Sequence, residues 1–404
     1  MPKVIFSLGF LLVILGLSGF YADETITETK QLVSNPAQDS LAIFLQDFES
    51  NLLEGVENRH LPGGAFVITY KDEILVAKGF GTRDIASPLP VDENTVFRLG
   101  SVSKGFASVL TGMMVDQGLL NFDDTVADIV PYFKLNDPDQ TNRIQVRHLL
   151  SHTTGLPRHA YTNLVEDGLT LERIIPKFED VPLINIEGEQ QAYTNAVYAV
   201  IEKVLERKTN ADFNSLLKEE IFNPLKMDRT SSTYGALKAS TNKALPHLYS
   251  RRAKARIMVP IKNNYFNAVS AGGINASISD MGKWLLLLTG NRPDLINEAT
   301  LDEIFAPIST IPNKRFSRNW PGVNESYYGM GWRTLFNGDQ TIVYHGGYVN
   351  GYRSEIAFDR ENKIGISILF HSNTNYALEV IPKFFNNFAD VNAYIENQEN
   401  DISE

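Results

Sequence analysis

The sequence predicts an α+β fold: both ends of the chain build one antiparallel sheet, helices flank that sheet, and a mainly helical subdomain is inserted between the two ends. Strand-like runs lie near residues 65–78 and again near residues 341–370, whereas helical periodicity dominates between about 119 and 255. The 404 residues are 43% hydrophobic and 21% charged, which is typical of a globular protein with a large buried core.

The first 40 residues predict export from the cytoplasm. After Lys3, the segment from Val4 to Phe20 is uncharged and mostly apolar, and Asp23 and Glu24 end it. We expect residues 1–22 to be a secretory signal or, if uncleaved, an N-terminal membrane anchor, and residues 23–40 to be a polar tether. Either reading places the body in the periplasm or outside the cell.

The body begins with a helix at residues 41–58, because Leu41, Phe44, Leu45 and Phe48 recur at helical spacing. The remaining predicted elements are, in order, the hairpin strands Ala65–Tyr70 and Ile74–Lys78, a helix from Ser101 to about Gln117, the helices Ala196–Leu205 and Phe213–Ile221, the strands Thr341–Tyr344, Ser354–Phe358 and Ile364–Phe370, and a helix over Ala377–Phe388.

These elements divide the body into two interleaved parts. We expect one domain at residues 41–390, with a sheet subdomain at about 41–118 and 256–390 and a helical subdomain at about 119–255. Residues 391–404 are acidic, and we expect them to form a frayed tail.

Composition excludes several kinds of chemistry. The chain has no cysteine, so disulfides, thiolate catalysis and cysteine-ligated metals are impossible. A formal net charge of −11 argues against nucleic acid as the partner. No His-Glu-x-x-His, Walker A or Rossmann glycine motif occurs, so we expect no metal and no cofactor, and nothing implies an obligate protein partner. The Gly-x-Ser-x-Gly elbow of α/β-hydrolases is also absent from the sequence.

A candidate nucleophile lies in the string Ser101-Val102-Ser103-Lys104, which has the form Ser-x-x-Lys. This spacing puts the serine and the lysine one helical turn apart on the same face. A serine hydroxyl needs a nearby base, and a lysine can be that base only when burial or another cation keeps it neutral. Ser215–Lys218 and Ser240–Lys243 have the same form, so the pattern alone leaves three candidate serines.

Several short motifs in a fixed order single out Ser101. It follows Phe97-Arg98-Leu99-Gly100, and the other motifs are residues 62–65 (PGGA), 78–81 (KGFG), 146–157 (VRHLLSHTTGLP), 221–227 (IFNPLKM), 270–274 (SAGGI), 277–281 (SISDM), 328–332 (YGMGW) and 345–347 (HGG). With them the chain resembles the serine β-lactamase and penicillin-binding protein superfamily over roughly residues 45–390. The Ser-Val-Ser-Lys string is most similar to those of class C β-lactamases, D-alanyl-D-alanine carboxypeptidases, D-aminopeptidases and β-lactamase-fold esterases. This resemblance implies a β-lactamase/transpeptidase-like fold.

The resemblance implies a second motif, Tyr-x-Asn, at Tyr193 and Asn195. Tyr161, Tyr265 and Tyr348 also have an asparagine two residues later, but only the Tyr193 string is followed at once by a long apolar helix. In this interpretation Tyr193 relays the serine proton, while Asn195 holds Lys104 and donates to a substrate carbonyl.

The third implied motif is His345-Gly346-Gly347, which follows a predicted strand. Gly347 would let the substrate lie against the strand, and the backbone N–H groups of Tyr348 and Ser101 would form the oxyanion hole. His345 would replace the usual lysine as the anchor for a substrate carboxylate, although a histidine is mostly neutral at pH 7. Gly346 lacks the threonine hydroxyl found in many relatives, so both departures weigh against efficient β-lactam hydrolysis.

The sequence therefore predicts an exported serine hydrolase that acts through an acyl-enzyme on a small-molecule or peptide substrate. Amide-type substrates, either β-lactams or D-alanyl peptides, are the first hypothesis, and small acyl esters are the second. A non-catalytic penicillin- or cell-wall-binding module is the third. His148 and His152 are interpreted as structural, and Asp280 as a backbone cap.

Overall fold

The computed structural model describes residues 36–312, 320–338 and 340–403. The predicted signal at residues 1–22 and residues 23–35 of the predicted tether lie outside the described residues. The last part of that tether, residues 36–40, is already helical. No helix in the described ranges is long and apolar enough to cross a membrane.

Strands from both ends of the chain meet in the central sheet. The described strands are β1 Gly63–Tyr70, β2 Glu73–Asp84, β3 Ser87–Pro90, β4 Val96–Arg98, β5 His247–Ser250, β6 Ala255–Met258, β7 Asn275–Ser277, β8 Ser309–Thr310, β9 Val323–Tyr328, β10 Arg333–Asn337, β11 Gln340–Val349, β12 Tyr352–Asp359 and β13 Ile364–Phe370. Nine of them form an antiparallel sheet in the order β3-β2-β1-β13-β12-β11-β10-β9-β8. Because β1 pairs with β13 from Gly64–Phe370 to Tyr70–Ile364, the predicted closure of the sheet by both chain ends is confirmed.

Helices cover both faces of this sheet and fill the inserted segment. They are α1 Pro36–Asn58, α2 Ser103–Asp116, α3 Val126–Ile129, α4 Pro138–Thr141, α5 Val146–Ser151, α6 Thr162–Glu166, α7 Leu171–Ile174, α8 Asn195–Tyr198, α9 Val200–Thr209, α10 Phe213–Leu216, α11 Tyr234–Ala239, α12 Val269–Gly272, α13 Ile278–Leu288, α14 Glu298–Phe305 and α15 Ala377–Ser403. Helices α3–α11 lie within the segment predicted to be helical.

The alternation of side chains along β1 separates two hydrophobic cores. Phe66 and Ile68 point to the face covered by α1 and α15, and Ala65 and Val67 point to the face that packs on α2 and α13. All four side chains are buried, because β1 lies inside the sheet with helices on both sides. The α2 face is the larger core, and it carries the residues of the candidate site.

Two expectations about boundaries differ from the structure. The predicted acidic tail at 391–404 is instead the end of α15 as far as Ser403, because Val391 and Ile395 continue the apolar face of the helix and Ile395 is buried. The predicted boundary between subdomains at residues 255 and 256 falls inside the hairpin that β5 and β6 form.

Candidate active site

A tight turn presents Ser101 at the entrance of α2. Gly100 to Val102 form a 3₁₀ turn that leads directly into the helix, so Ser101 and Lys104 lie on the same side. Gly100 has a φ of +51°, and a Cβ on it would lie 2.9 Å from the backbone nitrogen of Tyr348. Glycine is therefore required both by the backbone conformation and by the close approach of β11.

Lys104 is completely buried, and both of its available N–H groups have acceptors. Nζ donates to Asn195 Oδ1 at 2.7 Å and to the backbone oxygen of Ala271 at 2.9 Å. Burial lowers the pKa of Lys104 well below its ordinary value of 10.5, and the nearby Arg333 guanidinium lowers it further. A neutral amine with two N–H groups engaged keeps one lone pair, so this lysine is equipped to accept a proton.

Tyr193 and Asn195 both lie next to this amine. Lys104 Nζ lies over the Tyr193 ring, 4.7 Å from its centroid. Asn195 is the first residue of α8. Its Nδ2 donates to the Tyr265 hydroxyl at 3.1 Å, and this hydroxyl donates to Glu166 Oε1 at 2.9 Å. Tyr265 and Glu166 thus orient the amide that holds the lysine.

The competing Ser-x-x-Lys strings have local structural roles. Ser215 lies in the first turn of α10, where its hydroxyl and backbone N–H both bond to Asp212. The Ser240 hydroxyl donates to the backbone oxygen of Asn242. Neither string contains a buried lysine, because Lys218 is exposed and Lys243 is only partly covered. Of the three candidates, only Ser101 stands beside a buried amine.

The open edge of β11 lies against the Ser101 turn. Pairing between β10 and β11 ends at Arg333 and Tyr344 in the described ladder, and Gly347 follows beyond that point. A Cβ on Gly347 would collide with the Leu99 carbonyl oxygen and lie 3.1 Å from the Ser101 nitrogen. The backbones that carry the Ser101 and Tyr348 amides are therefore in contact, as an oxyanion hole requires.

His345 differs from its predicted role as a substrate anchor. Its side chain is completely buried; Nδ1 lies 3.0 Å from the Gly346 carbonyl oxygen and Nε2 lies 3.2 Å from the Tyr328 hydroxyl. Burial lowers its pKa well below the ordinary value, and Arg333 and Lys104 lower it further. A neutral ring without solvent access cannot hold a carboxylate directly, so the prediction is corrected: in this structure His345 supports β11 from within.

Gly346 has a structural explanation that the sequence did not indicate. A side chain at this position would collide with the Glu355 carboxylate. Glu355 is buried, accepts a hydrogen bond from the Tyr344 hydroxyl at 2.6 Å and forms an ion pair with Arg353. The strand therefore has no room for a threonine hydroxyl here.

The structure adds two residues that the sequence did not single out as parts of the site. Arg333 is buried, and its guanidinium lies 5.5 Å from the Tyr328 ring centroid. Its charge is the second cause, after burial, of the lowered pKa of Lys104. His152, interpreted as structural, packs its ring 4.3 Å from that of Tyr193, and its Nδ1 accepts from the Thr194 N–H at 3.2 Å. His152 lies within the motif at residues 146–157, and Arg333 directly follows the motif at residues 328–332. These positions were the sequence signal that could have pointed to both residues.

Asp280 has the expected capping role. Its carboxylate accepts from the Arg229 N–H at 2.8 Å and from the Thr230 hydroxyl at 2.9 Å. His148 likewise accepts from the Gln145 backbone N–H at 3.1 Å, as a structural residue does. Within the described ranges, no hydrogen bond is formed by the Ser101 hydroxyl. In the same part of the chain, no group of three or more His, Asp or Glu side chains could hold a metal ion.

Comparison with known proteins gives one family. The sequence model of the beta-lactamase family matches residues 48–382. The unguisins hydrolase ungD' of Aspergillus campestris is 25% identical over 341 residues, which cover 82% of this chain and 62% of that protein. Protein flp of Staphylococcus aureus strain MRSA252 is 23% identical over 343 residues, which cover 83% of this chain and 64% of that protein. The chain thus spans a little under two thirds of these relatives.

Among solved structures, the fold is similar to that of the octameric penicillin-binding protein homologue from Pyrococcus abyssi. The TM-score is 0.72 and the sequence identity is 23%, with 83% of this chain and 76% of the other chain covered. At this identity the likeness concerns the arrangement of the backbone.

Proposed function

The chain belongs to the beta-lactamase family, and from that premise we propose that it is an exported serine hydrolase whose nucleophile is Ser101. The observation that carries the proposal is the state of Lys104. A buried amine that donates two hydrogen bonds lies one turn after the serine, and burial lowers its pKa well below the ordinary value. In its neutral form this amine keeps a lone pair that is suited to take a proton. A relative named as a hydrolase supports the general reaction class.

In the acylation step, Ser101 Oγ attacks the acyl carbon of the substrate and its proton passes to Lys104. The carbonyl oxygen becomes an oxyanion, which accepts hydrogen bonds from the backbone N–H groups of Ser101 and Tyr348. The carbon–nitrogen or carbon–oxygen bond then breaks. The leaving group takes up the proton from Lys104 through the Tyr193 hydroxyl, and the acyl group stays on Ser101 as an ester.

In the deacylation step, water attacks this ester and Ser101 leaves with a proton, so a carboxylic acid is released and the enzyme is restored. Asn195 holds Lys104 in place through both steps and is oriented by Tyr265. No metal ion or cofactor takes part in this proposal.

For the substrate we propose an amide, either a β-lactam or a D-alanyl peptide. The open edge of β11 supports this proposal, since an extended peptide can lie along it and bond to its backbone. Ester hydrolysis is the second candidate. It is favoured by the buried, neutral His345 and by Gly346, because together they remove the cationic and hydroxyl groups that would hold a substrate carboxylate.

The test is a rate panel for three proteins: wild type, Ser101→Ala and the matched control Ser215→Ala. The panel contains nitrocefin, D-alanyl-D-alanine peptides and p-nitrophenyl esters. We expect the wild type and the Ser215 variant to hydrolyse at least one of them equally, and the Ser101 variant to lose this activity. Equal turnover by the Ser101 variant would contradict the assignment. Muropeptide binding by all three proteins without turnover by any would favour the non-catalytic binding module.

Export and membrane association through residues 4–20 belong to the same proposal. They rest on the apolar segment after Lys3 in the sequence. Expression of the full chain in a bacterium and N-terminal sequencing of the product test them. A cleaved N-terminus in the periplasmic fraction, or an intact one in the membrane fraction, is expected. An intact protein in the cytoplasm would contradict both.

A further inference from the structure

Although the chain has a net charge of −11, one segment of it is positively charged. Residues 229–279 contain eight basic side chains and no aspartate or glutamate. The rest of the chain therefore has 29 basic and 48 acidic residues. Half of the segment's cations lie within six positions, at Arg251, Arg252, Lys254 and Arg256. A basic segment this concentrated in an acidic protein points to an anionic partner for that part of the surface.

The structure places these cations on a hairpin that is separate from the central sheet. Strands β5 and β6 form a two-stranded sheet of their own, joined to the rest of the fold by a bridge between His247 and Ser372 at its base. Arg251, Arg252 and Lys254 are exposed in the turn that joins the two strands. None of these three side chains forms an ion pair within the described part of the chain. Their charge is therefore available to a partner.

Apolar side chains accompany the cations along the hairpin. Tyr249 is 52% exposed, Ile257 43% and Met258 47%. Tyr249 and Met258 lie on one face of the ribbon and Ile257 on the other, since residues alternate along each strand. Among the described residues these side chains stay about half exposed on the two faces of the ribbon, which suits a hairpin that enters another phase.

The base of the hairpin is firmly attached. The His247 N–H donates to the His371 carbonyl oxygen at 2.8 Å, and the Val259 N–H donates to the Pro246 oxygen at 2.8 Å. Arg256 also donates to the backbone oxygen of Asn373 at 3.0 Å. A two-stranded ribbon is marginal alone, so these bonds hold its exposed tip in a defined direction.

We propose that the β5–β6 hairpin docks the protein on membranes that contain anionic phospholipid. The cations at its tip would meet the phosphate headgroups, while Tyr249, Ile257 and Met258 would enter the boundary between headgroups and acyl chains. A soluble polyanion would use the cations alone and leave the apolar side chains in water. The combination of both kinds of side chain therefore favours a lipid surface.

The hairpin is also connected to the rim of the candidate site. Lys262 follows β6, and its backbone N–H donates to Asn350 Oδ1 at 2.7 Å. The backbone carbonyl oxygen of Lys262 accepts from the Arg98 guanidinium at 3.0 Å. Asn350 follows β11 closely, and Arg98 ends β4, three residues before Ser101. Docking through the hairpin would accordingly fix the orientation of the site entrance relative to the membrane. This inference does not depend on the proposed reaction.

The absence of cysteine makes a direct test possible. Met258→Cys in the full chain can be labelled at a single position with a polarity-sensitive fluorophore. The matched control is Ile184→Cys in the helical segment, where the native side chain is 57% exposed against 47% for Met258. We expect mixed phosphatidylglycerol and phosphatidylcholine vesicles to shift the emission of the Met258 label to the blue and to leave the Ile184 label unchanged. An unchanged Met258 label would overturn the proposal.

A charge variant tests the role of the cations. R251E/R252E/K254E should weaken binding to the phosphatidylglycerol vesicles at least about tenfold, and raised salt should weaken wild-type binding as well. K134E/K177E/K218E makes the same charge change at exposed positions elsewhere and should bind like the wild type. Because all variants keep residues 1–22, an N-terminal contribution to binding is common to them. Equal binding by both triple variants, or a label shift with heparin but not with vesicles, would contradict membrane docking.

Discussion

Lys104 is the residue on which the proposed chemistry depends. A lysine at a surface would be protonated at neutral pH and could not act as a base, whereas Lys104 is completely buried, which lowers its pKa. Its two hydrogen bonds offset the free-energy cost of burying a polar group. One acceptor, Asn195, belongs to the inserted helical segment, and the other, Ala271, lies in α12 just before β7. The base is thus assembled from three distant parts of the chain.

Arg333 should control the pH dependence of the reaction. Protonated Lys104 is inactive, so activity is lost as the pH falls through the pKa of Lys104. Burial is the main cause of its low pKa and Arg333 is the second, so Arg333→Met should raise this pKa. We expect the acid limb of the kcat/KM profile to move to higher pH and activity on that limb to fall severalfold.

The control for this measurement is Arg292→Met, which removes a cation paired with Asp294 at the surface and should leave the limb in place. An Arg333→Met profile that coincides with that of the wild type, or moves to lower pH, would show that Arg333 does not tune the base.

At the scale of elements, the contact between β11 and the Ser101 turn is the feature most sensitive to substitution. Gly347→Ala would force a methyl group against the Leu99 carbonyl oxygen and push the turn away from the strand. We expect kcat/KM to fall about a hundredfold, the effect of losing one oxyanion donor. Steady-state kinetics and circular dichroism measure activity and folding together.

Gly235→Ala is the matched control, because its added methyl group would meet no atom within 4 Å. It should keep both activity and melting temperature. Wild-type activity in a folded Gly347→Ala protein would contradict the oxyanion-hole geometry.

The junction of α9 and α12 contains a buried carboxyl group that makes stability depend on pH. Glu202 Oε1 accepts from the N–H and the hydroxyl of Ser270, and burial raises its pKa from 4.5 to about 7. The protonated form is favoured in the folded state. This contribution to stability is fully present below the unfolded pKa of 4.5 and is lost as the pH rises through about 7.

Glu202→Gln keeps the acceptor and removes the charge. At a pH of about 8 it should stabilise the protein by roughly 3 kcal/mol, and at a pH of about 4 it should have little effect. Thermal unfolding at both values measures this, with the exposed Glu219→Gln as the control. A uniform effect of Glu202→Gln at both pH values would contradict the raised pKa.

For the whole molecule, the order of strands and helices was predictable because it depends on local periodicity. The strand-like runs at residues 65–70 and 364–370 predicted strands at both ends of the body, and in the structure these two strands pair across almost the entire chain. The one-turn spacing of Ser-x-x-Lys left three candidate pairs, and Ser101 and Lys104 were singled out by the ordered motifs that resemble the serine β-lactamase superfamily. The position of Ser215 in a capped turn, by contrast, was visible only in three dimensions.

What the sequence could not predict depends on long-range packing. Tyr265 accepts a hydrogen bond from Asn195, which lies 70 positions away in the sequence. The residues next to each of them in the sequence do not predict this contact. His345 is buried and its Nε2 lies 3.2 Å from the Tyr328 hydroxyl, a long-range contact that the motif predicting a substrate anchor could not indicate. The acidic composition of residues 391–404 likewise obscured the apolar spacing that extends α15.

The central claim is that Ser101 is the acylated nucleophile, and mapping of a covalent adduct tests it most directly. The wild-type protein is incubated with a fluorophosphonate or with penicillin, digested, and analysed by mass spectrometry for the modified peptide. The account predicts an adduct on Ser101, formed faster as the pH rises through the pKa of Lys104, and none in Ser101→Ala. An adduct on Ser215, Ser240 or another residue, or undiminished labelling of Ser101→Ala, would contradict it.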